Sequence, residues 1–183
     1  MIDEQKARQI LGDLQAPEEV IDHVEMVNKV CLGMMELIRQ KNPALKIDKR
    51  LVSVGALLHD IGRTQTQGID HAVVGARILR ELNKDNDSWM EKVALICERH
   101  IGGGITKAEA VRLGLPARDY VPKTTEEKIV SYCDNLVDED ETGTPLVRDS
   151  DWVLAKYERK HGKNSEPARM VRELNKFFKK LLS

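Results

Sequence analysis

The chain has 183 residues, which sets the expectation of a single domain over 1–183. Apolar residues make up 41% and charged residues 32%, enough for a packed core and too apolar for a disordered chain. The 29 Lys and Arg against 30 Asp and Glu leave a net charge of −1, which argues against wrapping by nucleic acid, and two Trp, three Tyr and two Phe argue against a base-stacking platform.

Nearly every segment has helical rather than strand periodicity, so the fold class expected is all-α. Asp3 to Leu14 reads as a short amphipathic helix opened by an acidic cap. Pro17 then suits a first-turn position, followed by Glu18 and Glu19 and an apolar stripe through Val20, Val24, Val27, Val30, Met34, Leu37 and Ile38. A third helix runs from near Asp48 to His59-Asp60, with Gly62 as its C-terminal stop. A fourth covers about His71 to Leu82 and a fifth about Ser88 to His100. After Gly102-Gly103-Gly104 comes a segment capped near Thr106 and a Pro116–Pro122 loop. Thr124 or Thr125 caps a further helix to about Val137, and residues 138–145 read as an acidic, Gly-Thr-Pro loop. Helices over about 150–161 and 165–182 complete the chain.

No stretch approaches the ~20 apolar residues of a membrane span, and the polar N-terminus lacks a signal-peptide pattern. Cys31, Cys97 and Cys133 have no zinc-ligand spacing and lie in apolar-periodic segments, so they read as buried free thiols in a reducing, cytoplasmic compartment.

Four of the five histidines mark helices: His23, His59, His71 and His100. Asp60 ends the apolar run Val54-Gly55-Ala56-Leu57-Leu58-His59, and Asp134 lies within Ile129 to Val137. A carboxylate in such surroundings needs compensation, and a divalent cation is one way to supply it. A His and Asp mixture suits Fe, Mn, Ni or Zn better than Ca, which prefers oxygen ligands. Taken singly, each residue also reads as an ordinary core or capping group: His71 at a helix start, His100 at a helix end, Asp134 paired with an arginine.

His59-Asp60-Ile61-Gly62 spells HDIG. With His23 upstream and Asp134 downstream, the order His…His-Asp…Asp resembles the HD superfamily of metal-dependent phosphohydrolases over about residues 18–140. The resemblance implies about five core helices, with a C-terminal helical extension over about 150–183. It also implies His23, His59, Asp60 and Asp134 as ligands of a first metal, and His71 and His100 as ligands of a second, with Asp60 bridging. One or two divalent ions per chain (Fe, Mn, Ni, Zn or Mg) are therefore expected as cofactors. The six-residue pattern is similar to diadenosine tetraphosphate hydrolases, HD-type cyclic dinucleotide phosphodiesterases and CRISPR-associated HD nucleases. His100 to Thr106 and Leu115 to Pro122 resemble a small, mainly archaeal HDIG group. The GYP element of the cyclic dinucleotide enzymes is missing, which ranks that substrate class lower. Many HDIG proteins carry lysine after the motif; here Arg63 keeps the charge and adds a planar fork suited to phosphate oxygens.

The function expected is hydrolysis of a nucleotide or other small phosphate ester by metal-activated water, with phosphodiester or phosphoanhydride cleavage ahead of monoester cleavage. Asp60 and Arg63 are the expected catalytic residues. Arg63, Gly103 and Lys107 are candidates for phosphate contact, the Gly102–Gly104 run reading more readily as a flexible turn. The alternatives are a non-catalytic metal- or nucleotide-binding sensory module and an HD-type single-strand nuclease. A small phosphorylated partner is expected, with no membrane and with nucleic acid disfavoured. The basic amphipathic final helix suits core packing or contact with a second copy of the chain.

Overall fold

The computed structural model describes residues 2–183 and is a helical fold. Its helices are α1 (Glu4–Asp13), α2 (Glu18–Lys41), α3 (Lys49–Leu58), α4 (His71–Leu82), α5 (Ser88–Arg99), α6 (Lys107–Arg112), α7 (Thr125–Leu136), α8 (Ser150–His161) and α9 (Glu166–Leu182). A 3-10 turn, Ile61–Thr64, joins α3 to α4. The all-α expectation holds, with one correction. Residues 137–147 form a small antiparallel hairpin, β1 (Val137–Glu139) with β2 (Pro145–Val147), Val137 opposite Val147. Three-residue strands are too short to show a period of two, so the sequence displayed only the turn between them.

Side-chain caps begin most of these helices. Asp3, Asp48, Thr106, Thr124, Asp149 and Ser165 each accept from the backbone N–H three residues on, and Asp87 from that of Trp89. Pro17 is the N-cap of α2, not its first helical residue. The apolar stripe of α2 faces the core through Val20, Val24, Val27, Cys31, Met34, Met35 and Ile38, whereas Leu37 points out and is half exposed.

The centre of the molecule is α3, whose residues Leu51 to Leu58 are all buried. It is enclosed by α1, α2, α5 and α7, while α4 packs on α5 and the α8–α9 hairpin lies against α2 and α7. Leu57 and Leu58 are fully buried, and truncating either to Ala would cost about 2–5 kcal/mol. All three cysteines are buried and unbridged, as their apolar neighbours imply. A second, smaller apolar cluster of Ile105, Ala110, Leu115 and Tyr120 fixes the loop after α5, where Ile105 and Tyr120 exchange backbone hydrogen bonds. No described helix is long and apolar enough to cross a membrane.

Candidate metal centre

Helix ends deliver the site. His59 is the C-cap of α3 and His100 the C-cap of α5, while Asp60 starts the 3-10 turn and His71 opens α4. His23 comes from the second turn of α2, and Asp134 from the last turn of α7. Gly62 makes this convergence sterically possible. A Cβ there would lie 1.9 Å from the His71 carbonyl oxygen and 2.7 Å from the Gly75 nitrogen. Its purpose is thus the contact that brings the 3-10 turn onto α4, rather than the helix stop expected from sequence, since α3 has already ended.

Three imidazoles are locked by their own backbone. His59 Nδ1 donates to the Ala56 carbonyl at 2.7 Å, His71 Nδ1 to that of Gly68 at 2.8 Å and His100 Nδ1 to that of Cys97 at 2.7 Å. A carbonyl can only accept, so Nδ1 carries the proton and each neutral ring presents a bare Nε2 lone pair. Those lone pairs converge with carboxylate oxygens. His71 Nε2 lies 3.2 Å from His100 Nε2 and 3.2 Å from Asp60 Oδ1, and His100 Nε2 lies 3.4 Å from the same oxygen. On the other side Asp134 Oδ1 is 2.9 Å from His23 Nε2 and 3.4 Å from His59 Nε2. Asp60 stands between the two groups, its Oδ2 at 3.9 Å from His59 Nε2 and accepting from Arg63 Nε at 2.8 Å.

Two of these atoms, His59 Nε2 and Asp60 Oδ1, are buried without any hydrogen-bond partner. Orphaned acceptors at the centre of a fold cost about 1–3 kcal/mol each unless a cation or proton sits among them. Three overlapping ligand triads have all donor atoms within 4.8 Å of one another: His23, His59 and Asp60; His59, His100 and Asp134; Asp60, His71 and His100. The donor set thus fits one or two divalent ions on imidazole nitrogen and carboxylate oxygen.

The electrostatics run the same way. Burial pushes the His59 imidazole down, but Asp60 and Asp134 outweigh it and raise the group to about 9. Asp60 is held well below the carboxylate range by His59, His100 and His71 despite the opposing effect of burial. Asp134 is lowered by His23 and His59, again against burial. His100 goes the other way, lowered mainly by burial. Without metal, a proton on His59 stands in for the missing positive charge.

The centre opens into a cleft of about 610 Å³. All six ligand candidates except His59, which is fully buried behind them, reach its surface, as do Arg63 and Gly103. Lys107 does not line it; this residue is exposed on α6, with its backbone N–H on Asp119. The glycine run is chiefly a seat for α9, because a Cβ on Gly103 would lie 2.2 Å from the Met170 carbonyl group. Sequence reasoning missed the far wall of the cleft: Asn135, and Lys156, Tyr157, Lys160 and His161 of α8. One signal was available, the mixed polar and aromatic stripe at three- and four-residue steps along α8.

A family model described as HD domain matches residues 7–137. The chain is 47% identical over 178 residues to an uncharacterized protein of Methanocaldococcus jannaschii, covering 97% of this chain and 98% of that protein. It is also 49% identical over 138 residues to the tRNA (cytidine(56)-2'-O)-methyltransferase of Picrophilus torridus, covering 75% of this chain and 37% of the enzyme. The corresponding Thermoplasma volcanium methyltransferase is 48% identical over 134 residues, covering 73% of this chain and 36% of the enzyme. The chain therefore spans little more than a third of the methyltransferases it matches. Among solved structures, the HD domain of L. monocytogenes phosphodiesterase PgpH is similar, at 19% identity and a TM-score of 0.47 over 96% of each chain. Its complex with cyclic-di-AMP gives 18% identity and 0.48, over 96% of this chain and 94% of that one.

Proposed function

The chain belongs to the HD domain family, and from that premise we propose that it is a metal-dependent phosphohydrolase acting on a small phosphorylated substrate, a nucleotide in the first place. The observation that carries this reading is the convergence of three imidazoles, each locked through Nδ1 so that Nε2 faces inward, and the orphaned Asp60 Oδ1 at the floor of a cleft open to solvent.

His23, His59, Asp60 and Asp134 would hold one divalent ion, and Asp60, His71 and His100 a second. Bound there, the metal supplies Lewis-acid activation of water and of the phosphoryl oxygen. The chain's own groups do the rest. Asp60 is buried and stays ionised, so it can accept a hydrogen bond from a water molecule and orient it rather than take its proton. Arg63 spends its Nε on Asp60 Oδ2, which aims the remaining guanidinium N–H donors from a fixed base. Its side chain is 31% exposed and lines the cleft, where a planar fork matches two phosphoryl oxygens. Gly102 and Gly104, both at positive φ, turn the loop tightly enough to wall the cleft with backbone.

The methyl transfer named for the two tRNA enzymes belongs, on this reading, to the part of those proteins that this chain does not span. Three buried thiols suit a reducing, cytoplasmic setting. The test is a panel of nucleotides, dinucleoside polyphosphates, cyclic nucleotides and single-stranded DNA with Mn2+, Fe2+, Ni2+ or Mg2+. Phosphate release from a small nucleotide, lost in His59→Ala and Asp60→Ala, is the expected result. Turnover of DNA alone, or activity that survives both substitutions, would overturn the reading.

A further inference from the structure

Helix α8 lies outside the residues matched by the family model, yet it forms one wall of the cleft. Val153, Lys156, Tyr157, Lys160 and His161 all line it, at steps of three, four, seven and eight residues from Val153, so a single face of the helix is turned inward. Only Val153 of that face is buried. A face that packs a core is apolar; this one carries two lysines, a phenol and an imidazole and is left open to the cleft.

The wall is registered against the metal helix. Tyr157 Oη donates to Asn135 Oδ1 at 3.2 Å, and Asn135 follows Asp134 directly. Asn135 Nδ2 in turn donates to the Gly102 carbonyl at 2.7 Å. A Cβ on Gly102 would stand 3.0 Å from Tyr157 Oη, so glycine at 102 lets the ring approach. Tyr157 is thereby an anchor, and Lys160 lies about 4.5 Å further along the helix axis.

The charges then single out one residue. Of the cleft's Arg and Lys side chains, Arg63 is engaged by Asp60 at 2.8 Å and Lys156 by Asp138 at 2.8 Å. Lys160 has no ion pair among the described residues and is exposed. Of the cleft's glutamates, Glu109 and Glu166 share Arg112, while Glu19 on α2 and Glu139 on β1 are unpaired among the described residues. The lysine of this lining without an ion pair among the described residues therefore sits on α8, at Lys160.

We infer that α8 is the specificity wall of this cleft and that Lys160 receives a second, non-scissile phosphate of the substrate, such as that of a nucleoside diphosphate. The inference rests on the phosphohydrolase reading and deepens it. A charge-assisted contact of this kind corresponds to about a ten-fold preference for the diphosphate.

The test is equilibrium binding of the non-hydrolysable adenosine 5′-(α,β-methylene)diphosphate and of adenosine 5′-monophosphate to the Mn2+-loaded full chain by titration calorimetry, with hydrolysis of adenosine 5′-diphosphate followed separately. Wild type is expected to favour the diphosphate about ten-fold; Lys160→Ala should cut that ratio below about three-fold, Lys160→Glu should abolish it, and Lys160→Arg should restore it. Equal binding of the two nucleotides by wild type overturns the inference, as does a ratio unchanged in Lys160→Glu. A preference that follows residue 160 while adenosine 5′-diphosphate is not hydrolysed upholds the subsite and counts against the hydrolase reading. Lys160 is exposed, so the variants fold, and their melting temperatures serve as the check.

Discussion

The floor and the far wall of the cleft are built on opposite principles. The floor is buried: His59, Asp60, His71 and His100 are each at most 5% exposed, and every one of those imidazoles is pinned through Nδ1 to a carbonyl three residues back. The wall on α8 is half open, anchored at Tyr157 and carrying exposed lysine. A rigid floor fixes lone pairs in a group that could hold a cation, and an open wall can be altered without disturbing it. On the proposed function, this division would let one helical scaffold keep its metal site while its substrate range is set elsewhere.

Substitutions can break this contrast, beginning with the largest effect. Asp60→Ala should remove the shared carboxylate, lower metal stoichiometry by mass spectrometry under native conditions and reduce phosphate release by at least about 10³-fold. Gly62→Ala should collapse the floor without touching a ligand, since its Cβ would collide with the α4 backbone. A loss of about 3–5 kcal/mol in urea unfolding is expected, with weaker metal binding as a consequence. Wall substitutions should do neither.

Protons sharpen the comparison next. His59 is raised to about 9, so at pH 7 the metal-free imidazole is protonated, and its ligand lone pair is freed only when that proton leaves. Metal binding at pH 7 should release about one proton, measured by calorimetry in buffers of different ionisation enthalpy, and the release should vanish above about pH 9. By the same sign, the stability that His59 contributes to the metal-free protein is fully present below about pH 6.5 and lost as pH rises through about 9. The smallest effect belongs to the wall. Tyr157→Phe removes one half-buried hydrogen bond to Asn135 and should cost about 1 kcal/mol of stability while leaving metal stoichiometry intact.

The same contrast separates what the sequence displays from what it hides. Helical periodicity and side-chain caps place the helices within a residue or two, because those signals are local. The floor is legible because His59-Asp60-Ile61-Gly62 is contiguous and His23, His71, His100 and Asp134 fall at helix positions that stand out against apolar neighbours. The wall is not. Lys160 and His161 are ordinary residues near the end of an exposed helix, and they reach the cleft only because Gly102 admits Tyr157 and Gly103 seats α9. Those are backbone contacts between segments far apart in the chain. Gly103 was legible as a special position, but the contact that requires it was not.

The positions of His59 and His100 as C-caps have one more consequence. The unpaired carbonyls at a helix C-terminus carry roughly half a negative charge. The ends of α3 and α5 meet here, since the His59 and His100 rings lie 4.7 Å apart. Both termini therefore add partial negative charge close to the carboxylates. A cation there is held by the architecture of the helices as well as by side chains, and lengthening either helix by one turn would withdraw both its dipole and the carbonyl that sets its imidazole's tautomer.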